Sequence, residues 1–538
     1  MARFVIARLG GRQWWMITLA LVVAAAVVLA LAAGRADSDD GTAGDSNTVG
    51  ESAAPSSVPE ATPTDTGVSA PSDPPAQMCD SDDLKGPSKP PAGAVEVSTE
   101  QNLADVVRAG SGQVTYWLAP GVHRLGRDKY DQVQPHRGDT FIGAPRAILD
   151  GQQVNLYAFG GKAADVTIKF ITVRNFGSAG DNNNEGVVNH DSAEGWTVDS
   201  STIEKNAGAG VMLSSGNRVV RSCLRDNGQY GFNAYAEGGV KNVVLRDNEI
   251  SGNNTDDWEK RREGCGCTGG GKFWETNGAK VTNNYVHDNK GVGLWADSNN
   301  VGFRFEGNYI SGNEAEGIMY ETSYNAAIVN NTFVRNALHK GPTNPEFPAS
   351  AIYLSESGSD ERVDGPYGKT FIVRGNVFTD NWSGIVGWEN ADRFAGSPAN
   401  TSTGVSTLVN PSVATVSACA RKSKIKKQPF FDDCRWKTQN ILVEGNTFTT
   451  DPSKIKGCKA SQGCGFNGLF SNYGTYPRWS PYHATVVQKG ITFKQNNVWQ
   501  NNTYTGPWHF MVEEAGNVVS WDAWRSAPYG QDAGSNKS

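Results

Sequence analysis

The sequence predicts an all-β chain wound as a parallel β-helix, and three observations predict it. A unit recurs at fixed spacing: Asn284-Tyr285-Val286-His287-Asp288-Asn289 with Gly293-Leu294-Trp295-Ala296-Asp297 returns 24 residues later as Asn308-Tyr309-Ile310-Ser311-Gly312-Asn313 with Gly317-Ile318-Met319-Tyr320-Glu321. A fixed period of this size marks stacked repeats. Each copy holds two short runs of alternating character, the pattern of a strand, and nothing between them is long enough or periodic enough for a helix. Asn and Gly stand at the joints, where a tight turn needs residues that tolerate positive φ.

The copies run far along the chain. A polar–x–apolar–x–x–Asn segment begins at Ser201, Ser222, Asn248, Asn284, Asn308, Asn331 and Asn376, at Asn446 with Asp451 as its last member, and at Asn497 with one irregularity. A Gly–apolar–x–apolar segment follows at Gly210, Gly231, Gly293, Gly317, Gly384 and Gly468, with Ala351 in the glycine place of one coil. The alternation sends Val211, Phe232, Leu294, Ile318, Ile352, Ile385 and Leu469 inward as one column. Asn at both turns predicts internal amide ladders from coil to coil.

Taken in order, residues 1–13 carry Arg3, Arg8 and Arg12 and no acid, and Trp14 to Ala33 is a run of 20 residues without a charge. A helix of that length spans about 30 Å, the thickness of a bilayer core. The flanking arginines place its start in the cytoplasm and the rest outside. We read it as a membrane anchor, with a cleaved secretory signal as the alternative. Residues 34–92 read as a disordered linker: nine of the chain's 24 prolines lie between Pro55 and Pro91, and no aromatic residue occurs between Trp15 and Tyr116. The folded domain is expected over 93–538. Its length suits a solenoid, which grows in one dimension. Residues 97–111 have helical spacing, with Leu103, Val106 and Val107 on one face, and a short helix there would cap the open end of the solenoid.

Two stretches interrupt the coils. Asn254–Gly271 holds Asp256, Asp257, Lys260, Arg261, Arg262 and Glu263. Asn390–Thr438 holds Arg421, Lys422, Lys424, Lys426 and Lys427, a run that reads as a solvated loop. The eight cysteines fit an exported protein. Cys419 pairs with Cys434 and Cys458 with Cys464 by proximity in loops. Cys265 and Cys267 are expected in disulfides to Cys79 or Cys223. A net charge of −7 speaks against nucleic acid as a partner.

The coils of residues 165–510 resemble the right-handed parallel β-helix repeats of the pectate-lyase-like superfamily. Gly270–Gly278 (GGKFWETNG), Gly293–Asn300 (GLWADSNN) and Gly317–Asn331 (GIMYETSYNAAIVNN) are similar to a bacterial exported β-helix family of unsettled function. The resemblance implies a polysaccharide as partner and an activity among lyases, hydrolases and epimerases. The polygalacturonase signature is incomplete, since Asn254-Thr255-Asp256-Asp257 has no Gly-His-Gly or Arg-Ile-Lys after it, and a pectate-lyase WIDH motif is missing.

Strand alternation turns Trp295, Asp297 and Glu321 outward, with Asp297 and Glu321 on adjacent coils about 5 Å apart. Two carboxylates that close invite a shared proton or a cation, and Ca²⁺ would suit. In simple register Lys272 would face inward. A slip of one residue puts Phe273 inside and Lys272 and Trp274 outside, above Trp295, which avoids a buried unpaired ammonium. Glu275 then has inward parity unless the turn at Thr276–Gly278 breaks it. The superfamily's lyases abstract the C5 proton of a uronic acid, which implies eliminative cleavage with Lys272 as base, Asp297 and Glu321 as catalytic or metal-binding carboxylates, and Trp274 and Trp295 as platforms for sugar rings. The alternatives are an inverting glycosidase using Glu275 and Glu321, and a non-catalytic surface protein that binds glycan. His190 and His287 sit at turns and read as structural.

Overall fold

The architecture follows from one corner device repeated from coil to coil along much of the chain. In the computed structural model, which describes residues 69–178, 186–344, 347–399 and 414–538, a full coil runs through a strand of sheet A, a strand of sheet B and a strand of sheet C, and the first coils have strands of A and B alone. The coil Thr276–Thr282, Tyr285–His287, Leu294–Ala296 is typical. Sheets A and B have thirteen strands each among the described residues, and sheet C eleven. Successive coils pair parallel and in register, as Leu294 with Ile318 and Trp295 with Met319. At the corner from A to B one residue turns left-handed, among them Asp247 (φ 57°), Asn283 (55°), Gly307 (65°) and Asn330 (54°). The corner from B to C repeats the device with Asp226, Gly252, Asp288 and Gly312. Asn, Asp and Gly tolerate that conformation, which is why the sequence marks corners with them.

The residue after each of these named corners faces inward and belongs to an amide ladder. One ladder runs Asn248, Asn284, Asn308, Asn331, Asn376, Asn446, with side-chain amides 2.9–3.0 Å apart. The other runs Asn206, Asn227, Asn253, Asn289, Asn313, Asn336, Asn381. Each amide also donates to a backbone carbonyl, as Asn284 does to Leu245 (3.0 Å). Buried polar groups of this kind are tolerable because every bond is made. Between the ladders the core is apolar, with a ring stack Phe333, Phe378, Phe448, Tyr504 at centroid spacings of 5.0, 4.5 and 4.8 Å.

The structure corrects the repeat at three points. Gly271 stands in the inward column between Phe232 and Leu294; a Cβ there would lie 2.0 Å from the Phe232 ring, which fills its space. Leu469 pairs with Gly387, two places along from the column of Ile385, because the long excursion before it resets the register. Asn502 takes the ladder place after Asn446 (3.1 Å), while Asn497 accepts from the Ile441 amide one strand earlier (3.3 Å). Asp532 ends that ladder, accepting from Asn502, Tyr504 and Trp524 at 2.9, 2.9 and 2.7 Å. Burial and this carboxylate push the Tyr504 hydroxyl pKa up. At this end Val518–Val519 pairs antiparallel with His509–Glu513. The helix Trp521–Arg525 follows, with Trp524 buried.

The predicted amphipathic stretch forms a helix over Leu103–Arg108, with Leu103, Ala104 and Val107 buried. The expected anchor, Trp14–Ala33, and the linker up to residue 68 lie outside the described residues. Among the described residues no helix is long and apolar enough to cross a membrane. The described part of the expected linker, residues 69–92, is a strap on the body. Cys79 is bonded to Cys223, its amide donates to Glu249 (2.9 Å), Asp80 takes the Arg225 guanidinium at 2.6 Å, and Trp117 donates to the Pro87 carbonyl (3.3 Å). Pro-rich composition signals that a segment cannot build its own core; it leaves open that the segment docks on another.

His287, expected at a turn, ends a sheet B strand beneath this strap, between Glu249 (3.2 Å) and Asp288 (2.8 Å). Burial alone would lower its pKa, but the two carboxylates outweigh burial and raise it. Burial would raise Glu249, and His287 and the Cys79 amide more than offset it. His287 therefore stabilises the docked strap below its ordinary 6.5, an increment lost as pH rises through the raised value. Glu249 contributes above the ordinary 4.5, and its share is lost as pH falls through the lowered value. Replacing both Cys79 and Cys223 by Ser should speed protease cleavage within residues 69–80 by about tenfold or more. The body should stay intact, and the rate should rise at either pH extreme. Equal cleavage in both proteins would show that the disulfide does not hold the strap.

Candidate active site

Sheet C carries the predicted residues on its outer side. The register aligns Lys272 with Trp295, Trp295 with Met319, and Met319 with Tyr353 in one outward column. The next outward column holds Asp297, Glu321, Ser355 and Trp388. Phe273 pairs with Ala296 inside, as the slipped register requires, so Lys272 points away from the core.

Outward does not mean free. The Lys272 ammonium lies 2.7 Å from Asp297 Oδ2, donates to the Gly266 carbonyl at 3.0 Å, and sits over the rings of Trp295 and Trp274 at 4.0 and 5.4 Å. Gly266 comes from the first inserted stretch, whose loop lies against Trp295; a Cβ at Gly266 would meet that ring at 2.7 Å. Cys265 and Cys267 flank Gly266 and are bonded to each other, which corrects their expected pairing with Cys79 or Cys223. Cys419–Cys434 and Cys458–Cys464 are bonded as expected. Asp297 Oδ1 accepts from the amide and hydroxyl of Ser298 at 2.8 and 3.1 Å.

The second carboxylate has its own cation. Arg393 Nη1 lies 2.8 Å from Glu321 Oε1 and 3.0 Å from Glu356 Oε2. Sequence reasoning missed both partners. Glu356 takes a left-handed corner (φ 42°), as Thr322 does one coil earlier (41°). Aligning Ile352–Glu356 with Ile318–Thr322 would have found it. Arg393 belongs to the second inserted stretch and carries no periodic signal.

Lys272, Asp297, Glu321 and Arg393 keep side-chain exposures of 10, 12, 15 and 21 %, while Glu356 keeps 1 %. Three carboxylates against two cations leave one negative charge without a partner in a largely desolvated cluster, and holding a proton relieves it. The pKa directions follow. Burial raises Glu321, Arg393 opposes, and Asp297 and Glu356 push it further up. Burial likewise raises Glu356. The carboxylates outweigh burial at Arg393 and raise it.

Both carboxylates proposed as cation ligands are engaged by protein groups. Asp297 is taken by Lys272 and Ser298, and Glu321 by Arg393. Among the described residues no group of three or more His, Cys, Asp and Glu side chains is placed to hold a metal. Glu275 is a left-handed corner residue (φ 44°) whose carbonyl accepts from Val240 and whose amide donates to Ser298. It has no ion pair among the described residues, because the turn breaks its strand parity. Trp274 and Trp295 are half-buried. Beyond them Phe347 roofs the lower part of the face, against Tyr353 (5.8 Å), Trp388 (5.6 Å) and Phe470 (5.4 Å). His190 stacks on Tyr157 at 3.7 Å, on another part of the chain.

The right handed beta helix region family matches residues 155–272 and 185–397. No curated protein matches the chain in sequence. Among solved structures, the chain is similar to the catalytic unit of a GH87 α-1,3-glucanase from Streptomyces thermodiastaticus, at 14 % identity over 84 % of this chain and 70 % of that one, with a TM-score of 0.47. It is similar to the A-module of mannuronan C-5 epimerase AlgE4 from Azotobacter vinelandii, at 14 % identity over 64 % and 88 %, with a TM-score of 0.38. It is also similar to PfbA, a surface adhesin of Streptococcus pneumoniae, at 10 % identity over 55 % and 85 %, with a TM-score of 0.35. With its in-register parallel sheets and this family match, the chain is a right-handed parallel β-helix protein.

Proposed function

We propose that this protein is exported and acts on a polysaccharide at the outer face of sheet C, by hydrolysis through a pair of carboxylates. The observation that carries the reading is Glu321. Its pKa is raised by burial, and it stands one coil from an Asp297 whose oxygens are taken by Lys272 and Ser298. Two carboxyls in contrasting surroundings divide acid and base roles. Glu321 serves as general acid, giving its proton to the leaving glycosidic oxygen. Asp297 serves as the second carboxylate, as base toward water or as nucleophile toward the sugar carbon. Arg393 orients Glu321, and Trp274 and Trp295 offer flat apolar faces to sugar rings.

Lys272 fits a positioning role better than that of a base. Its ammonium is directed at Asp297, the Gly266 carbonyl and the Trp295 ring, which leaves no lone pair aimed at substrate. Elimination from a uronic acid is the second reading. It is favoured by the two cations, Lys272 and Arg393, which could meet a sugar carboxylate if they exchanged partners.

Digestion of a polysaccharide panel tests both. New reducing ends without absorbance from a C=C bond support hydrolysis, and such absorbance supports elimination. Binding without products would overturn both in favour of a glycan-binding surface protein. Residues 14–33 are proposed to hold the protein in the cell membrane with the coils outside. Protease added to intact cells should then release a soluble fragment starting within 34–68. Native protein found in the medium and starting near residue 34 would identify the segment as a cleaved signal.

A further inference from the structure

Sheet A carries a second feature that the chemistry on sheet C does not use. Its outer face has a groove of about 410 Å³ lined by Arg218, Arg246, Lys280, Arg304, Glu306 and flanking residues. Arg218, Val244, Lys280 and Arg304 align in register on four consecutive coils, so the cations of that column lie along the solenoid axis in steps of about 4.8 Å per coil. Arg246 stands in the neighbouring outward column, beside Thr282 and Glu306.

The charges are unequal. Glu306 is held by Arg304 through two bonds of 2.8 Å, and Arg246 lies 3.0 Å from Asp247. Arg218 and Lys280, both exposed, have no carboxylate partner among the described residues. Four cations line the groove against the single carboxylate Glu306. On a chain with a net charge of −7 this is a local reversal of sign. A second observation points to the kind of ligand. Tyr367, half-buried in the loop that follows the sheet C strand Ile352–Ser355, sets its ring 5.3 Å from the Lys280 ammonium. A ring beside cations offers an apolar platform for a sugar face next to donors for its acid group.

We infer that this groove binds an acidic, carboxylate-bearing glycan chain laid along the solenoid axis. Arg218 and Lys280 take successive carboxylates, and Tyr367 packs under a sugar ring. Arginine suits this use because its planar fork matches a carboxylate. The coil spacing lets a polymer with one charge per residue meet several cations at once, each gain adding to the next. The groove would hold the protein on an acidic matrix while sheet C works on another stretch of glycan. The inference does not depend on the sheet C chemistry.

The test is calorimetric titration of the full chain with an oligogalacturonate of about six residues, with its methyl ester as the uncharged control. The acid should bind, more weakly as salt rises, and the ester should not. Arg218→Ala with Lys280→Ala should weaken binding by about tenfold or more and flatten the salt dependence. Melting should be unchanged, since both side chains are exposed. Lys280→Glu alone should weaken it further than Lys280→Ala. Failure of the acid to bind, equal binding of the ester, or unchanged affinity in the double variant would each overturn the proposal. Tighter binding of a glycerol phosphate oligomer than of the uronate would overturn the assignment to carboxylates.

Discussion

Glu321→Gln should lower turnover by a hundredfold to ten-thousandfold, the usual range of about 10²–10⁴ for a general acid, while glycan binding stays near that of the unmodified protein. Gln keeps the shape and the bond to Arg393 but has no proton to give. The pH profile supplies a second, independent readout. As an acid, Glu321 must hold its proton, so activity should fall on the alkaline side with a midpoint above the ordinary 4.5 for a glutamate. That limb should vanish in the variant. Arg393→Met should move it to higher pH, because Arg393 is the main influence that opposes the raised pKa. Stability follows the same sign. The folded carboxyl holds its proton more tightly than the unfolded one, so the increment is full below the unfolded value and is lost as pH rises toward the raised folded one. Full activity in Glu321→Gln, or an alkaline limb that persists there, would remove Glu321 from the chemistry.

Asn308→Ala should destabilise the solenoid by about 2–6 kcal/mol, from two buried donors left without partners at about 1–3 kcal/mol each. Asn308 is fully buried. Its Oδ1 accepts from the Asn284 amide (2.9 Å) and side chain (3.0 Å), and its Nδ2 donates to the Val281 carbonyl (2.8 Å) and Asn331 (2.9 Å). Removing the side chain interrupts the ladder in mid-run. Asn308→Asp should be costly too, since it keeps the acceptors but turns an anion toward Asn331 Oδ1. Asn277→Ala, on an exposed strand position, should change stability by only about 0.5 kcal/mol. Urea unfolding followed by far-ultraviolet dichroism measures all three. A ladder variant as stable as the exposed one would mean that the amides shape corners and contribute little energy.

The candidate site shows how far a repeat can be read. Lys272, Trp295, Asp297 and Glu321 were legible as outward neighbours because coils stack in register, which turns a distance of one period along the chain into one step in space. The register slip at Lys272 was legible for a simpler reason: an inward ammonium without a partner costs too much. What each of these groups touches was not legible. Asp297 and Glu321 looked like a pair that needed a shared proton or a cation, and the structure sets Lys272 on one and Arg393 on the other.

By itself the sequence determined the fold, the corners, the two Asn ladders and the face on which the candidate site lies. All of these rest on local rules, strand alternation and left-handed corner residues, applied at a constant period. Only the tertiary structure decided which groups complete the site and what covers the coils. Arg393 reaches Glu321 from 72 residues away, Cys79 reaches Cys223 across 144, and the long excursion before Leu469 resets its column. Inserted stretches and straps find their places by charge and shape against a finished surface. That surface exists only once the coils have stacked, so no spacing along the chain encodes it.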